Sequence, residues 1–149
     1  MSKRVQANVQ CNACGHTQAM ALYRSLWVED GENRALMLND QINLFRCDRC
    51  GHAERLEFPF LATNAKRQLA IWYEPYHDPL IDKDVDDYKR TMGASSFYSK
   101  APRVPNWEAF KSTFLAMEKA GPQAGQEVHY SAESKSALRG FIDSLKGKR

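Results

Sequence analysis

CNACGH at residues 11–16 returns as CDRCGH at residues 47–52, and these two hexapeptides hold all four cysteines of the 149-residue chain. Two cysteines at i and i+3 around a tight turn can aim both sulfurs at one point. The glycine after the second, Gly15 or Gly51, can take the positive φ that closes such a turn. Amide groups in the turn then point at the thiolates and offset their charge. Two such knuckles predict one tetrahedral site built from Cys11, Cys14, Cys47 and Cys50. Four thiolates leave no ligand position for water or substrate, which distinguishes structural from catalytic zinc. The two pairs are separated by 32 residues (15–46). That insert is longer than in a compact zinc finger, but loop-closure entropy rises slowly with length, so it is tolerable if it forms its own strands or hairpin.

Zinc is the expected ion, and iron is the competitor, since rubredoxin-type sites also use two C-x2-C-G knuckles. Disulfides would need an oxidising compartment. The N-terminus, MSKRVQANVQ, has a basic start but no apolar stretch behind it, so it does not read as a secretory signal. No run approaches the roughly 20 apolar residues that span a bilayer. The expectation is a cytoplasmic protein with reduced thiols and no membrane partner. His16 and His52 follow the knuckles and are expected to be surface side chains, because a site with four cysteines is already full.

The residues around the knuckles resemble a known family. VQCNACGH, then INLFRCDRCGHAERLEFPFLATNAKRQLAIWYEP, give the order knuckle, insert, aromatic strand, second knuckle, strand, hairpin and strand ending in an acidic residue and proline. Over about Val5 to Pro75 this is similar to the CpXC domain, a bacterial and archaeal family named for its paired cysteine motifs. The family's proline between the cysteines is replaced by Asn12 and Asp48. The resemblance implies a zinc-ribbon-like β domain with Cys11, Cys14, Cys47 and Cys50 as its four cysteines, and implies no activity.

The fold class expected is α+β. Residues 1–75 read as a small antiparallel, zinc-ribbon-like β domain, and residues 76–149 as an irregular linker followed by two C-terminal helices. Strands are expected at Val5–Gln10, 19–28 and Ile42–Arg46. A turn is expected at EDGEN, residues 29–33, and ALMLND is ambiguous between helical turn and loop. Leu56, Phe58 and Phe60 alternate with Glu57 and Pro59, which predicts a strand with Pro59 on an edge or bulge. ATNAKR makes the hairpin connection and QLAIWYE the return strand. Asn106 caps a predicted helix in which Trp107, Phe110, Phe114 and Met117 recur at helical spacing, with Gly121–Pro122 as its stop. A second helix is expected from Ala132 to about Lys146, capped by Ser131.

No nucleophile, base or open-metal constellation emerges, so the chain is not expected to be an enzyme. Asp82, Asp84 and Asp86 imitate the start of an EF-hand loop, but Asp87 and Gly93 stand where glycine and glutamate are required, so the stretch reads as a solvated, partly helical charge run. His77–Asp78 and His129 have no evident nucleophile to serve. The expected function is a non-catalytic zinc-binding module serving a protein assembly; the apolar stripe holding Trp107 reads first as packing on the β domain or on the other helix, and Trp107 is the candidate aromatic anchor if that stripe meets a protein partner instead. The alternative is a ribbon that grips nucleic acid through Arg46, Arg49, Arg55, Lys66 and Arg67, with Trp72 or Tyr73 stacking on bases. Charge argues weakly for that alternative. The formal net charge is +3, and four thiolates on one zinc ion would reduce it to about +1.

Overall fold

A computed structural model describes residues 2–121. The strand before the first knuckle is β1, Lys3–Gln10, and the strand after it is β2, Thr17–Trp27. They pair antiparallel from Arg4↔Tyr23 to Gln10↔Thr17, with the knuckle at the tip of the hairpin. The stretch expected to be a turn instead opens a helix, α1, Gly31–Leu38. Asp30 is the cause: its carboxylate accepts the Glu32 amide at 2.9 Å and caps the first turn. The second knuckle is the tip of another hairpin, β3 (Leu44–Arg46) and β4 (Ala53–Arg55).

The strand expected from Leu56 starts later. β5 is Phe60–Asn64 and β6 is Leu69–Tyr73, with Pro59 marking the end of the link from β4. The Pro59 carbonyl accepts from the Arg24 guanidinium at 3.2 Å rather than joining a ladder. Residues 76–105, expected to be an irregular linker with a partly helical charge run, contain a full helix α2, Pro79–Met92, and a short strand β7, Arg103–Val104. Asp78 caps α2, and Pro79 opens it where no amide donor is needed. Helix α3, Trp107–Ala120, falls where the apolar spacing puts it, between the Asn106 cap and Gly121, whose φ is 75°. The expected helix at Ala132–Lys146, its Ser131 cap and His129 lie outside the described residues.

Five strands form one sheet in the order β1-β2-β5-β6-β7, and β3-β4 stand as a separate pair. The sheet is mixed, not antiparallel throughout. β2 runs parallel to β5, and β6 parallel to β7. Each parallel pair requires a crossover. The first crossover carries α1 and the second knuckle, and the second carries α2. Residue 75 therefore lies between two strands of one sheet.

β5 and β6 are buried at every position, and alternation divides their side chains between two faces. Phe60, Ala62, Leu69, Ile71 and Tyr73 join the larger core with Trp107, Phe110 and Phe114 of α3, Met37 of α1, and Leu26. Leu61, Ala70 and Trp72 face the other way, against Ile81 of α2 and Ala101. Burial on both faces explains why QLAIWYE reads as a nearly continuous apolar run. Ion pairs tie helices to the sheet or to one another. Arg24 of β2 meets the α2 cap Asp78 at 3.0 Å, Arg103 of β7 meets Asp82 of α2 at 2.7 Å, and Arg34 of α1 makes a two-pronged contact with Glu118 of α3.

Candidate metal centre

The two knuckles have the same backbone. In the first, the Cys11 amide donates to the His16 carbonyl at 2.7 Å and the Gly15 amide to the Cys11 carbonyl at 2.9 Å. In the second, the Cys47 amide donates to His52 at 2.8 Å and the Gly51 amide to Cys47 at 3.0 Å. Gly15 and Gly51 have φ of 79° and 77°. That is the left-handed region, where a Cβ costs about 1–2 kcal/mol. The sequence repeat is thus a repeat of turn geometry.

All four Sγ atoms lie within 4.8 Å of one another. Cys11 to Cys50 and Cys14 to Cys47 are each 3.6 Å, across the two knuckles. A disulfide would place the sulfurs about 2.05 Å apart, and all four cysteines are free. Around a tetrahedral ion with metal–sulfur bonds of about 2.3 Å, the sulfurs would stand about 3.8 Å apart. The donors therefore fit one tetrahedral ion. Cys11 and Cys47 are buried, Cys14 is half-buried and Cys50 is exposed. Beneath them sits a small apolar floor of Phe45, Val9, Met20 and Leu56.

Electrostatics point the same way. Loss of solvation pushes the Cys47 thiol up, but amides of Cys50 and Arg49, with the contacts to Cys14 and Cys50, outweigh it and bring it down to about 6. The His52 amide pulls Cys50 down, yet loss of solvation and three neighbouring sulfurs prevail and push it up to about 12. Sulfurs this close resist bearing four negative charges. A divalent cation removes that conflict.

The model of the CpXC protein family matches residues 9–119, from the end of β1 to the last turn of α3. The chain belongs to the CpXC family. No curated protein and no solved structure matches it. The match reaches well beyond residue 75, so this CpXC chain carries the family's pattern through α2, β7 and α3, not through the first half alone.

Side chains outside the cysteines hold the knuckles against each other. The Gln18 amide donates to the Arg46 carbonyl at 2.9 Å and accepts from the Asp48 amide at 2.8 Å, acting as one rung of a ladder between the hairpins. Asn12, between the first two cysteines, donates to Glu54 at 2.8 Å. Asn43 is buried with a φ of 56°. It accepts from the Tyr23 amide at 2.7 Å and donates to the Tyr23 carbonyl at 3.2 Å. Sequence reasoning missed all three. Their only signal is an Asn or Gln beside each knuckle strand, which is also ordinary surface composition. His16 and His52 sit beside the turns and do not join the sulfur cluster, as the full ligand set requires.

The other candidate residues fare differently. Trp107 is not a surface anchor. It is 7% exposed, stacks on Phe110 at 5.3 Å, and donates through Nε1 to Asp40 at 2.7 Å. The Arg55 guanidinium lies over its ring at 4.3 Å, so Arg55 is engaged with the core edge. Trp72 and Tyr73 are each 1% exposed and cannot stack on bases. Their apolar faces were needed inside the two cores. Tyr73 donates through its hydroxyl to Glu57. Arg46 and Arg49 are exposed by the second knuckle, and Lys66 and Arg67 are exposed in the β5–β6 turn. Asp82, Asp84 and Asp86 lie on α2, so they form no calcium loop. Asp82 pairs with Arg103, and Asp84 approaches Arg24. Asp78 is the α2 cap and a partner of Arg24, while exposed His77 reaches Asp82 at 3.3 Å.

Proposed function

We propose that this chain is a non-catalytic, zinc-stabilised module that serves a protein assembly. Cys11, Cys14, Cys47 and Cys50 would hold a single zinc ion, whose chemistry there is to neutralise thiolates and clasp two hairpins together. The observation that supports this reading is the closed set of four sulfurs within 4.8 Å. Zinc is preferred to iron because a closed set of four thiolates is its commonest structural environment and requires no redox role. Four protein ligands complete a tetrahedron, so the ion is offered no position at which to activate water. Among the described residues no helix is long and apolar enough to cross a membrane, and reduced, metal-ready thiols suit the cytoplasm.

The test has two arms. Elemental analysis of the purified chain should find one zinc per chain, and chelation should lower its melting temperature sharply. Absence of metal, or a melt indifferent to chelation, contradicts the structural role. Affinity capture with the full chain, in buffer of moderate salt and with nuclease present, should then recover a stoichiometric protein partner. Recovery that disappears with nuclease contradicts the protein-assembly role and returns the nucleic-acid reading.

A further inference from the structure

β1 is the last strand of the five-stranded sheet, and among the described residues it pairs with β2 alone. Among the described residues nothing pairs with its second edge. Monomeric proteins protect such edges with lysines, prolines, bulges or very short strands. Here residues 5–10, VQANVQ, carry no charge and no proline. The register with β2 is unbroken from Arg4 to Gln10, its irregularity falling between Lys3 and Arg4.

The direction of the free groups follows from the hairpin. The Cys11 amide donates to His16, directly across the turn. In an antiparallel ladder, residues that exchange hydrogen bonds with the partner alternate with residues whose amide and carbonyl point away. Val9, Ala7 and Val5 therefore bond to β2, while Gln10, Asn8, Gln6 and Arg4 direct their backbone groups at the open edge.

The strand is also nearly symmetric about Ala7. Turned end for end around that residue, Val5 meets Val9 and Gln6 meets Asn8. The half-buried apolar face coincides with itself, and so does the exposed polar face. Arg4 meets Gln10 instead of another Arg4, which avoids a clash of like charges. It also brings that cation beside the other copy's thiolate-rich knuckle.

We propose that β1 pairs with the β1 of a second copy, antiparallel and centred on Ala7, so that two sheets join into one across a twofold axis. The contact is isologous: Gln6 of each copy exchanges backbone hydrogen bonds with Asn8 of the other, and Arg4 with Gln10. Ala7 faces Ala7 at a position that makes no hydrogen bonds across the new seam, because its backbone groups point to β2, in agreement with the parity set by the hairpin.

Sedimentation velocity on the full chain tests this. The wild type should have twice the 17.0 kDa mass of one chain. Asn8→Pro removes an outward amide without touching a β1–β2 bond, and it should halve the mass while leaving the melt cooperative. The double variant Gln6→Lys with Asn8→Lys places like charges opposite each other and should also be a monomer. Gln6→Lys with Asn8→Glu pairs opposite charges in the same register and should restore the dimer. A monomeric wild type overturns the proposal, whether the edge is covered by residues 122–149 or by another protein. A dimer that survives both Asn8→Pro and the double-lysine variant overturns it too, since the contact is then elsewhere. Failure of the lysine–glutamate pair to restore association overturns the register about Ala7.

Discussion

Gly51 shows how a single residue sets the metal centre. Its φ of 77° lets the second knuckle close, and nothing lies within 4 Å of the place a Cβ would occupy. The penalty of a side chain there is conformational and not steric. Gly51→Ala should therefore cost about 1–2 kcal/mol, read as a lower unfolding free energy and faster zinc loss to a chelator. Unchanged kinetics and stability would mean that the turn tolerates another conformation. Tyr73 carries a second expectation. Burial, then its hydrogen bond to Glu57, pushes the phenol up to about 12 from its ordinary value near 10. The folded state thus favours the protonated form. Its contribution is complete below pH 10 and is lost as pH rises from 10 through 12. Unfolding free energy measured over that range should fall by one step more in the wild type than in Tyr73→Phe. Identical profiles would show that the phenol does not titrate differently on folding.

At the level of elements, two hairpin tips must meet although their strands belong to different sheets. Gln18 bridges them with two backbone hydrogen bonds, and Asn43 fastens β3 to β2 through Tyr23. Gln18→Ala should leave the five-stranded sheet intact while weakening metal affinity several-fold, by analogy with other residues that orient ligands. Competition with a chromophoric chelator measures this, and unaltered affinity would show that the cysteines align the hairpins unaided. The knuckles, α3 and the strands β1, β2 and β3 are legible because each has a strong local signal: repeated turn chemistry, apolar spacing between an Asn cap and a glycine stop, or short β-rich runs; β4, Ala53–Arg55, has none and goes unseen. α1 and α2 are legible only in part, as an ambiguous helical turn at ALMLND and a partly helical charge run, because their starts depend on the Asp30 and Asp78 caps within sequences that also suit turns. The parallel pairings were not legible either, since they are made by residues far apart in the chain. Trp72 and Tyr73 can be offered as base-stacking candidates, and Trp107 as either core or anchor, because composition cannot separate an aromatic core from an aromatic surface.

For the whole molecule, the cysteine hairpins and the larger core meet at Arg55. This residue of the second hairpin lies over Trp107 at 4.3 Å and over Tyr73 at 5.4 Å, and it pairs with Glu57 at 2.6 Å. β7 and α3 close the same core from beyond residue 75. A chain ending at Pro75 should accordingly retain zinc affinity in its knuckles but lose cooperative melting, because Phe60, Ile71 and Tyr73 would be uncovered. A cooperative transition in that fragment would show that the first half folds alone. The claim on which all else rests is that four sulfurs share one ion. X-ray absorption at the zinc edge of the natively purified protein tests it most directly. One zinc per chain, surrounded by four sulfurs at about 2.3 Å, is the predicted result. A shell containing nitrogen or oxygen, or no bound metal, would contradict it.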